Sequence, residues 1–257
     1  MTIVVATWNV NSIKARESLV LGWLGEVQPD VLLMQEIKCT EDAFPRQGFA
    51  RLGYGVAVVG QKNWNGVAVA SRHPIEELAR QLPGEEDAQA RYLEVRTAGL
   101  RVASLYLPNG NPVGSDKFAY KLRWLERLRH HAACLLEEDE PLVLGGDYNV
   151  IPETIDCHDP AAWQDDALFR PESRRGFRAL LWLGLYDAFR ALHPEDKNAW
   201  TFWDYQGGAF QLDHGIRIDH LLLSPQAVDR LRAARIDRRP RAMPKASDHT
   251  PVLIELD

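Results

Sequence analysis

The sequence predicts an α+β protein built as a layered α/β sandwich with more than one β-sheet. Short runs of β-branched and other apolar residues alternate with a few longer segments of helical periodicity. Two stretches, residues 51–71 and 91–107, carry consecutive strand patterns with no helix between them. These stretches predict antiparallel hairpins, which simple βαβ alternation does not give. A sandwich of sheets and helices therefore fits the pattern better than one doubly wound sheet.

The individual elements follow from these periodicities. The predicted strands, which are short apolar runs, are Ile3–Trp8, Val31–Gln35, Tyr54–Val59, Val67–Ser71, Tyr92–Val95, Val102–Leu107, Leu142–Gly146, Ile218–Leu223 and Val252–Leu256. The predicted helices, which have apolar residues at helical spacing, are Ile13–Val27, Asp116–Glu137 and Glu172–Leu183. No linker or break in composition divides the chain, so we expect a single domain over residues 1–257.

Composition limits the class of protein. The chain has 46% hydrophobic and 26% charged residues, as expected for a globular protein with a sizeable core. The net charge of −6 argues against an all-over basic coat for nucleic acid, although a local basic face fits this value. The chain shows neither a signal-peptide pattern nor a membrane-spanning apolar run, so we expect a cytoplasmic protein. Cys39, Cys134 and Cys157 lack the paired spacing of disulfides or a zinc site.

Polar side chains gather at the ends of several predicted strands. They are Asn9, Glu36, Tyr106, Asn109, Asp147, Asn149, Asp219, Asp248 and His249. Each alone has an ordinary explanation, because Asn and Asp commonly form turns or helix caps after a strand. Their recurrence at the same kind of position indicates that they converge at one rim of a layered fold, where active sites lie.

The residue types in this set predict a chemistry. Carboxylate and amide oxygens, with one histidine and no cysteine, suit Mg²⁺ or Mn²⁺ better than zinc. The sequence contains neither a glycine-rich nucleotide-binding loop nor the G-x-S-x-G motif of α/β-hydrolases. Hydrolysis of a phosphate ester requires a positioned water, a base, and cations or donors around the developing charge. The set supplies all of these, so it favours a metal-dependent phosphoesterase.

Ordered motifs along the chain carry a family resemblance. They are TWNVNSIKAR, LLMQEIKC, NGVAVAS, LYLPNG, LGGDYNVIPETIDCHDP, TFWDY, GIRIDHLLLS and SDHTPV, and they span residues 2–256. In this order they resemble the motifs of the exonuclease III family of apurinic/apyrimidinic endonucleases, within the endonuclease/exonuclease/phosphatase superfamily. The resemblance implies a four-layer α/β sandwich, with two packed mixed β-sheets flanked by helices. It also implies a magnesium-dependent DNA repair nuclease that cleaves phosphodiesters 5′ to abasic sites and trims or unblocks 3′ ends of duplex DNA.

By this resemblance, one group of side chains would hold a divalent metal ion. The expected ligands are Asn9, Glu36, Asp147, Asn149 and Asp248. Glu36 looks like the direct ligand, and Asp248 would act at longer range. Asp147 also resembles the residue that orients or deprotonates the attacking water. The expected ion is Mg²⁺, for which Mn²⁺ would substitute.

A second group would act on the scissile phosphate. Asn149 would donate hydrogen bonds to this phosphate, and Tyr106 would lie against it as a hydroxyl or phenolate. His249 would contact the same phosphate, with its ring held and its cationic form favoured by Asp219. The expected catalytic residues are therefore Tyr106, Asp147, Asn149, Asp219 and His249.

A third group would contact the DNA. Asn109 would hold a neighbouring phosphate. Lys38 and Arg91 would clamp the DNA backbone, although an ordinary exposed cation is the alternative for both. The basic segment 238–245, RRPRAMPK, would add a positive wall beside the site.

Phe202, Ile216 and Ile218 match family positions that line a small apolar pocket for an extruded sugar without a base. The two isoleucines share one face of an extended strand, but this periodicity also fits ordinary core packing. Such a pocket would give selectivity, because an abasic nucleotide loses little stacking when it flips out of the duplex.

Two other functions stay open at this point. One is another phosphoesterase of the superfamily, and the other is a nucleic-acid-binding regulator that has lost the chemistry. A membrane-lipid enzyme would be expected to carry an amphipathic insertion loop, and none is evident in the sequence. The intact catalytic set argues against a regulator. The expected partner is double-stranded DNA with abasic sites or damaged 3′ ends. We expect the protein to bind it as a monomer, and we expect no membrane as a partner.

Overall fold

Two six-stranded β-sheets pack face to face between layers of helices in the computed structural model, which describes residues 2–257. The strands are β1 (Ile3–Asn9), β2 (Val31–Gln35), β3 (Gly55–Val59), β4 (Val67–Ser71), β5 (Glu76–Ala79), β6 (Tyr92–Thr97), β7 (Leu100–Tyr106), β8 (Leu142–Asp147), β9 (Tyr186–Asp187), β10 (Asp219–Leu223), β11 (Leu231–Ile236) and β12 (Val252–Leu256). The helices are α1 (Ile13–Val27), α2 (Arg46–Arg51), α3 (Asp116–Glu137), α4 (Pro171–Trp182), α5 (Ala188–Leu192) and α6 (Pro225–Val228).

Both sheets are mixed, as expected. The strand order is β11-β12-β1-β2-β4-β3 in the first sheet and β5-β6-β7-β8-β10-β9 in the second. The pairs β1–β2 and β7–β8 are parallel, and the other strand pairs described in the two sheets are antiparallel. The two predicted hairpins are confirmed as β3–β4 and β6–β7.

Side chains that point alternately to the two faces of each sheet explain the four layers. In β1, Val5 faces the other sheet, whereas Trp8 faces α1, because successive side chains of a strand point to opposite faces. The central apolar layer between the sheets contains Val5 and Val143. Outside the second sheet, Leu128 of α3 and Phe177 of α4 are fully buried against its outer face. Each sheet therefore buries both faces, and the predicted four-layer sandwich is confirmed.

The strand directions bring the polar strand ends together. The parallel pair β1–β2 ends with Asn9 beside Gln35, directly before Glu36. In the second sheet, Asp147 lies in register between Tyr106 of the parallel strand β7 and Asp219 at the start of the antiparallel strand β10. Carboxyl ends of parallel strands and amino ends of antiparallel neighbours thus share one rim.

Three strands are absent from the sequence-based prediction, and each has a local reason. The edge strand β5 is rich in charge, β9 has two residues, and the edge strand β11 reads LRAARI. Leu, Ala and Arg favour helix in isolation, so pairing with β12 decides the structure of β11. Short polar edge strands also carry little hydrophobic periodicity.

The three cysteines are free thiols; Cys39 and Cys157 are buried, and Cys134 is exposed. Burial raises the pKa of Cys157 to about 11, which makes it a poor nucleophile. Across residues 2–257, each helix is too short or too polar to cross a membrane.

A buried ion network secures the start of β10. Arg217 is 2% exposed, and its guanidinium donates to Asp156 and Asp187 at 2.7 Å each. It also donates to Nδ1 of His220 at 3.0 Å, which leaves Nε2–H of that ring to donate to the carbonyl of Val150. The network ties the segment before Asp219 to two distant parts of the chain.

We expect Arg217→Ala to lower the free energy of unfolding by about 3–5 kcal/mol, because it leaves buried carboxylates without their cation. Denaturant unfolding followed by circular dichroism measures this loss. The control is Arg232→Ala, which removes an exposed ion pair with Asp257 and should cost at most about 1 kcal/mol. Equal costs for the two variants would contradict the role of the network.

Candidate active site

A cavity of about 300 Å³ opens at the rim where the two sheets end. Of the predicted site residues, those that line it are Glu36, Tyr106, Asn109, Asp147, Asn149, Phe202, Ile218, Asp248 and His249. The lining residues that the sequence did not point to are Trp163, Asp166, Leu168 and Asp204. The fold therefore brings these strand-end residues together around one cavity, as the sequence predicts.

The side-chain amide of Asn9 joins the two sheets at this rim. Its nitrogen donates to Oε1 of Glu36 at 2.8 Å and to Oδ2 of Asp147 at 2.9 Å. Its oxygen accepts a hydrogen bond from the backbone N–H of Asn11 at 3.0 Å, which fixes the orientation of the amide. Asn9 is fully buried, so it lies beneath the cavity and holds two carboxylates close together.

The backbone adopts left-handed conformations around the site. Glu36 (φ 49°), Lys38 (φ 53°) and Asn149 (φ 48°) all have positive φ values. For Glu and Lys this conformation is uncommon, and it is kept here by surrounding hydrogen bonds. The backbone N–H of Ser12 donates to the carbonyl of Glu36 at 2.7 Å, and Lys38 N–H donates to the carbonyl of Asn65 at 3.0 Å. The loop that carries Glu36 is thus fixed from both sides.

Glu36 is held as a carboxylate. Burial opposes ionisation, but Lys38 and Asn9 outweigh it and lower the pKa of Glu36. Nζ of Lys38 lies 2.8 Å from Oε2 of Glu36 and 2.6 Å from Oδ1 of Asn11. The predicted backbone clamp Lys38 is therefore already engaged with the acidic side of the site.

Three side chains offer ligand atoms at metal-binding distance. Carboxylate oxygens of Glu36 and Asp147 and a ring nitrogen of His249 all lie within 4.8 Å of one another. The two carboxylates of this set suit a single hard divalent cation. Asp248 is engaged elsewhere, because its Oδ1 accepts from the amide of Asn11 at 3.0 Å. This agrees with an action of Asp248 at longer range.

His249 is held and charged by neighbouring carboxylates. Its Nδ1 lies 2.8 Å from Oδ2 of Asp219, and its Nε2 lies 3.7 Å from Oδ2 of Asp147. Burial disfavours the imidazolium, but these two carboxylates outweigh it and raise the pKa of His249 to about 10. The predicted pairing of Asp219 with His249 is thus present in the geometry, and Nε2 is turned towards the cavity side of the pair.

Asp147 has the properties of a base. Burial, with Asp219 and Glu36, raises its pKa to about 7, whereas His249 and Asn9 act in the opposite direction. Its Oδ1 accepts the backbone N–H of Asn149 at 2.8 Å, so the carboxylate cannot rotate freely. A fixed carboxylate with a pKa near neutrality is well suited to take a proton from water.

Tyr106 lies under the guanidinium of Arg91. The guanidinium carbon is 4.6 Å from the ring centre, and Arg91 also donates to the carbonyl of Tyr106 at 3.2 Å. Burial, Glu36 and Asp147 raise the pKa of Tyr106 well above its ordinary value, so these groups favour the neutral hydroxyl over phenolate. Arg91 therefore positions Tyr106 in addition to any contact with DNA.

Two asparagine side chains form the side of the cavity next to β8. Nδ2 of Asn109 donates to Oδ1 of Asn149 at 3.3 Å, and Nδ2 of Asn149 donates to the carbonyl of Leu107 at 2.9 Å. Each amide nitrogen carries two hydrogens, so one N–H of each is left for a phosphate oxygen.

The apolar wall of the cavity consists of Phe202, Ile218, Leu168 and Trp163. Ile216 is 1% exposed and lies in the apolar cluster behind this wall, where it pairs with Phe202 as an isolated β-bridge. The resemblance implies that Ile216 lines the pocket, but in the structure Ile216 packs behind the wall and supports Phe202. The ring of Phe202 also packs against His249, with centres 5.0 Å apart.

The arginines of segment 238–245 face other groups of the protein. Their contacts are Arg238 with Asp213, Arg239 with Asp237, and Arg241 with the ring of Phe210. Each positive charge is thus partly used within the fold. The expected positive wall carries less free charge than the sequence alone indicates.

The residues missed by sequence reasoning lie outside the strand ends. Trp163, Asp166 and Leu168 belong to the long connection between β8 and α4, which has no periodicity to place it. Asn111 donates to Asp166 at 3.0 Å, and this contact brings the connection over the cavity. No local signal in the sequence marks such a long-range contact.

Comparisons with known proteins agree with this geometry. Residues 6–249 match the model of the Endonuclease/Exonuclease/phosphatase family. Exodeoxyribonuclease III from Haemophilus influenzae is 32% identical over 261 residues, covering 97% of this chain and 98% of the relative. An AP endonuclease structure from Archaeoglobus fulgidus has a TM-score of 0.96 and 38% identity, with 99% of each chain covered. A 3′ phosphatase from Neisseria, solved bound to a product DNA hairpin, has a TM-score of 0.96, 37% identity and the same coverage.

The chain therefore belongs to the endonuclease/exonuclease/phosphatase family. Its similarity to these nucleases over nearly the full length confirms the prediction of a DNA repair nuclease, an enzyme that cleaves phosphodiesters. Nucleases of this family depend on a metal ion, and the paired carboxylates of Glu36 and Asp147 fit that requirement, whereas the cationic ring of His249 has no lone pair to offer a metal.

We expect Asp219→Asn to shift the alkaline limb of the pH–kcat profile to lower pH by about 1–3 units. Asp219 raises the pKa of His249, so its neutralisation lets the imidazolium lose its proton earlier as pH rises. Steady-state cleavage of duplex DNA between pH 6 and about 10.5 measures this shift. Asp229→Asn, at an exposed acid distant from the site, is the matched control. An unmoved limb in Asp219→Asn would contradict the coupling.

Proposed function

We propose that the enzyme is a magnesium-dependent nuclease that cleaves duplex DNA 5′ to abasic sites and removes nucleotides or blocking groups from 3′ ends. The observation that carries the proposal is the amide of Asn9, which holds Glu36 and Asp147 together across the two sheets. Proteins similar over the whole chain include an exodeoxyribonuclease, an AP endonuclease and a 3′ phosphatase bound to DNA. These activities share one reaction, hydrolysis of a phosphate ester on DNA.

Each catalytic side chain has a role that its position supports. Asp147 takes the proton of the attacking water, since its carboxylate is fixed and its pKa is raised to about 7. His249, cationic through Asp219, and the free N–H of Asn149 donate to the scissile phosphate, where negative charge grows. Tyr106 donates its hydroxyl to the same phosphate.

Magnesium is the ion that the donor set suits best. Glu36 would hold it directly, with Asp147 and Asn9 next to it. Asn149 would belong to the same set, and Asp248 would act through water. Bound there, Mg²⁺ would neutralise charge on the phosphate and the leaving oxygen. Mn²⁺ has the same preference for oxygen ligands and would substitute.

The apolar wall beside the catalytic groups would select the damaged nucleotide. Phe202, Ile218, Leu168 and Trp163 enclose a space next to His249 that suits a sugar without a base. Lys38, Arg91 and Asn109 would position flanking phosphates of the duplex. We propose that a monomer acts on the DNA.

Incision of a duplex with one synthetic abasic site should occur with Mg²⁺ or Mn²⁺ and stop in excess chelator. Glu36→Gln should raise the Mg²⁺ concentration for half-maximal rate by about tenfold or more, because it removes the charged ligand. Gel-resolved initial rates across a Mg²⁺ titration measure both effects. Glu86→Gln, at an exposed glutamate, should behave as wild type. Full activity in chelator would refute the metal role.

Phe202→Ala should lower kcat/KM at abasic sites by about 10- to 100-fold. It should lower kcat/KM for removal of a 3′-phosphate from a nicked duplex far less, because only the abasic substrate needs the apolar wall of the cavity. Parallel assays of both substrates measure the ratio, with thermal unfolding of the variant as a check on folding. Trp182→Ala, at a ring that is 77% exposed, is the aromatic control. Equal losses on both substrates would return Phe202 to a packing role.

A further inference from the structure

A fully buried lysine lies beneath the cavity, in the middle of the structure rather than at its surface. Lys121 belongs to α3 and has no exposed area. The neighbouring buried side chains of this helix face, such as Trp124, Leu125 and Leu128, are apolar. An amine on such a face loses its hydration when the protein folds, so its presence requires a specific set of partners.

The partners of Lys121 are two backbone carbonyls. Its Nζ donates to the carbonyl of Asn109 at 3.0 Å and to the carbonyl of Asn149 at 2.5 Å. Among residues 2–257, no carboxylate forms an ion pair with it; Asp147 and Asp166 act on it at longer range. Burial lowers the pKa of Lys121 to about 7, and the amine and the ammonium both have enough N–H groups for two carbonyls.

These two carbonyls belong to the residues whose amides face the cavity. Asn109 and Asn149 come from separate loops, after β7 and after β8, and their side chains are hydrogen-bonded to each other. Gly110 (φ 90°) lets the first loop lie directly on the lysine, because an added Cβ there would be 2.6 Å from its Cδ. One amine therefore fixes the backbone of both loops from below.

We propose that Lys121 is a positioning residue for the phosphate-binding amides of Asn109 and Asn149. It acts through the backbone of both residues and touches no substrate itself. A methionine of similar length would fill the same space without its donors. The loops would then lose their common anchor, and the two amides would be held less firmly relative to Asp147, with the bond from the Asn149 N–H to Asp147 remaining. This inference rests on the proposed function, because it assigns both amides to DNA phosphates.

The test compares Lys121→Met with Arg123→Met, which removes a positive charge from the exposed side of the same helix. For Lys121→Met we expect kcat at abasic sites to fall by about 10- to 100-fold, as for a misplaced catalytic group. The Kd for an uncleaved abasic duplex in chelator should change by less than about threefold, because most affinity comes from other phosphate contacts. Arg123→Met should keep the wild-type kcat.

A double-mutant cycle with Asn149→Ala separates positioning from general destabilisation. If Lys121 acts through Asn149, the double variant should lose clearly less than the product of the two single losses, and the part that remains should reflect the amide of Asn109. Lys121→Gln should lose less activity than Lys121→Met, because its amide can still donate hydrogen bonds. If Lys121→Met does not fold, Lys121→Gln takes its place in the cycle. The inference would be overturned if Lys121→Met kept the wild-type kcat or if the losses in the cycle were strictly multiplicative. It would also be overturned if the unfolded fraction of Lys121→Met explained its whole loss of activity. An inactive wild-type enzyme would instead refute the proposed function.

Discussion

The amide of Asn9 is the contact on which the site depends. It reaches from the first sheet to Glu36 on its own side and to Asp147 of the second sheet. Carboxylates repel each other in a buried setting, and a shared donor together with a nearby cation is needed to keep them close. The two sheets must therefore pack with their rims aligned to within a hydrogen bond. The central apolar layer, with Val5 and Val143 on facing sheets, supplies this alignment.

The electrostatics of the rim divide the titratable groups into two sets. Glu36 is driven towards its charged form by Lys38, whereas burial drives Asp147 towards its neutral form. His249 stays cationic because Asp219 and Asp147 surround it. Environments that separate the pKa values of similar groups suit them to different tasks, and the proposed mechanism uses Glu36 as ligand and Asp147 as base.

Buried polar groups beneath the rim cost solvation free energy, and each one fixes a segment that lines the rim. Arg217 holds the segment that leads into Asp219, and Lys121 holds the loops of Asn109 and Asn149. Apolar residues of similar volume would often stabilise a protein as well or better at such positions. The network of buried donors instead specifies where the strand-end loops lie. It thus fixes the positions of the side chains that line the cavity, although apolar packing would often give a larger free energy of unfolding.

The sequence by itself determined the long elements and the types of polar residue that gather at the rim. Helix α1 has the predicted limits, since Ser12 caps its start and Gln28 ends it in a left-handed conformation. The strand-end polar residues were recognisable because strand periodicity stops where they begin. Only tertiary structure decided the path of the connection that brings Trp163 over the cavity, the strand state of β11 and the anchoring by Lys121. Periodicity reports local burial, whereas these three features depend on contacts between segments far apart in the chain.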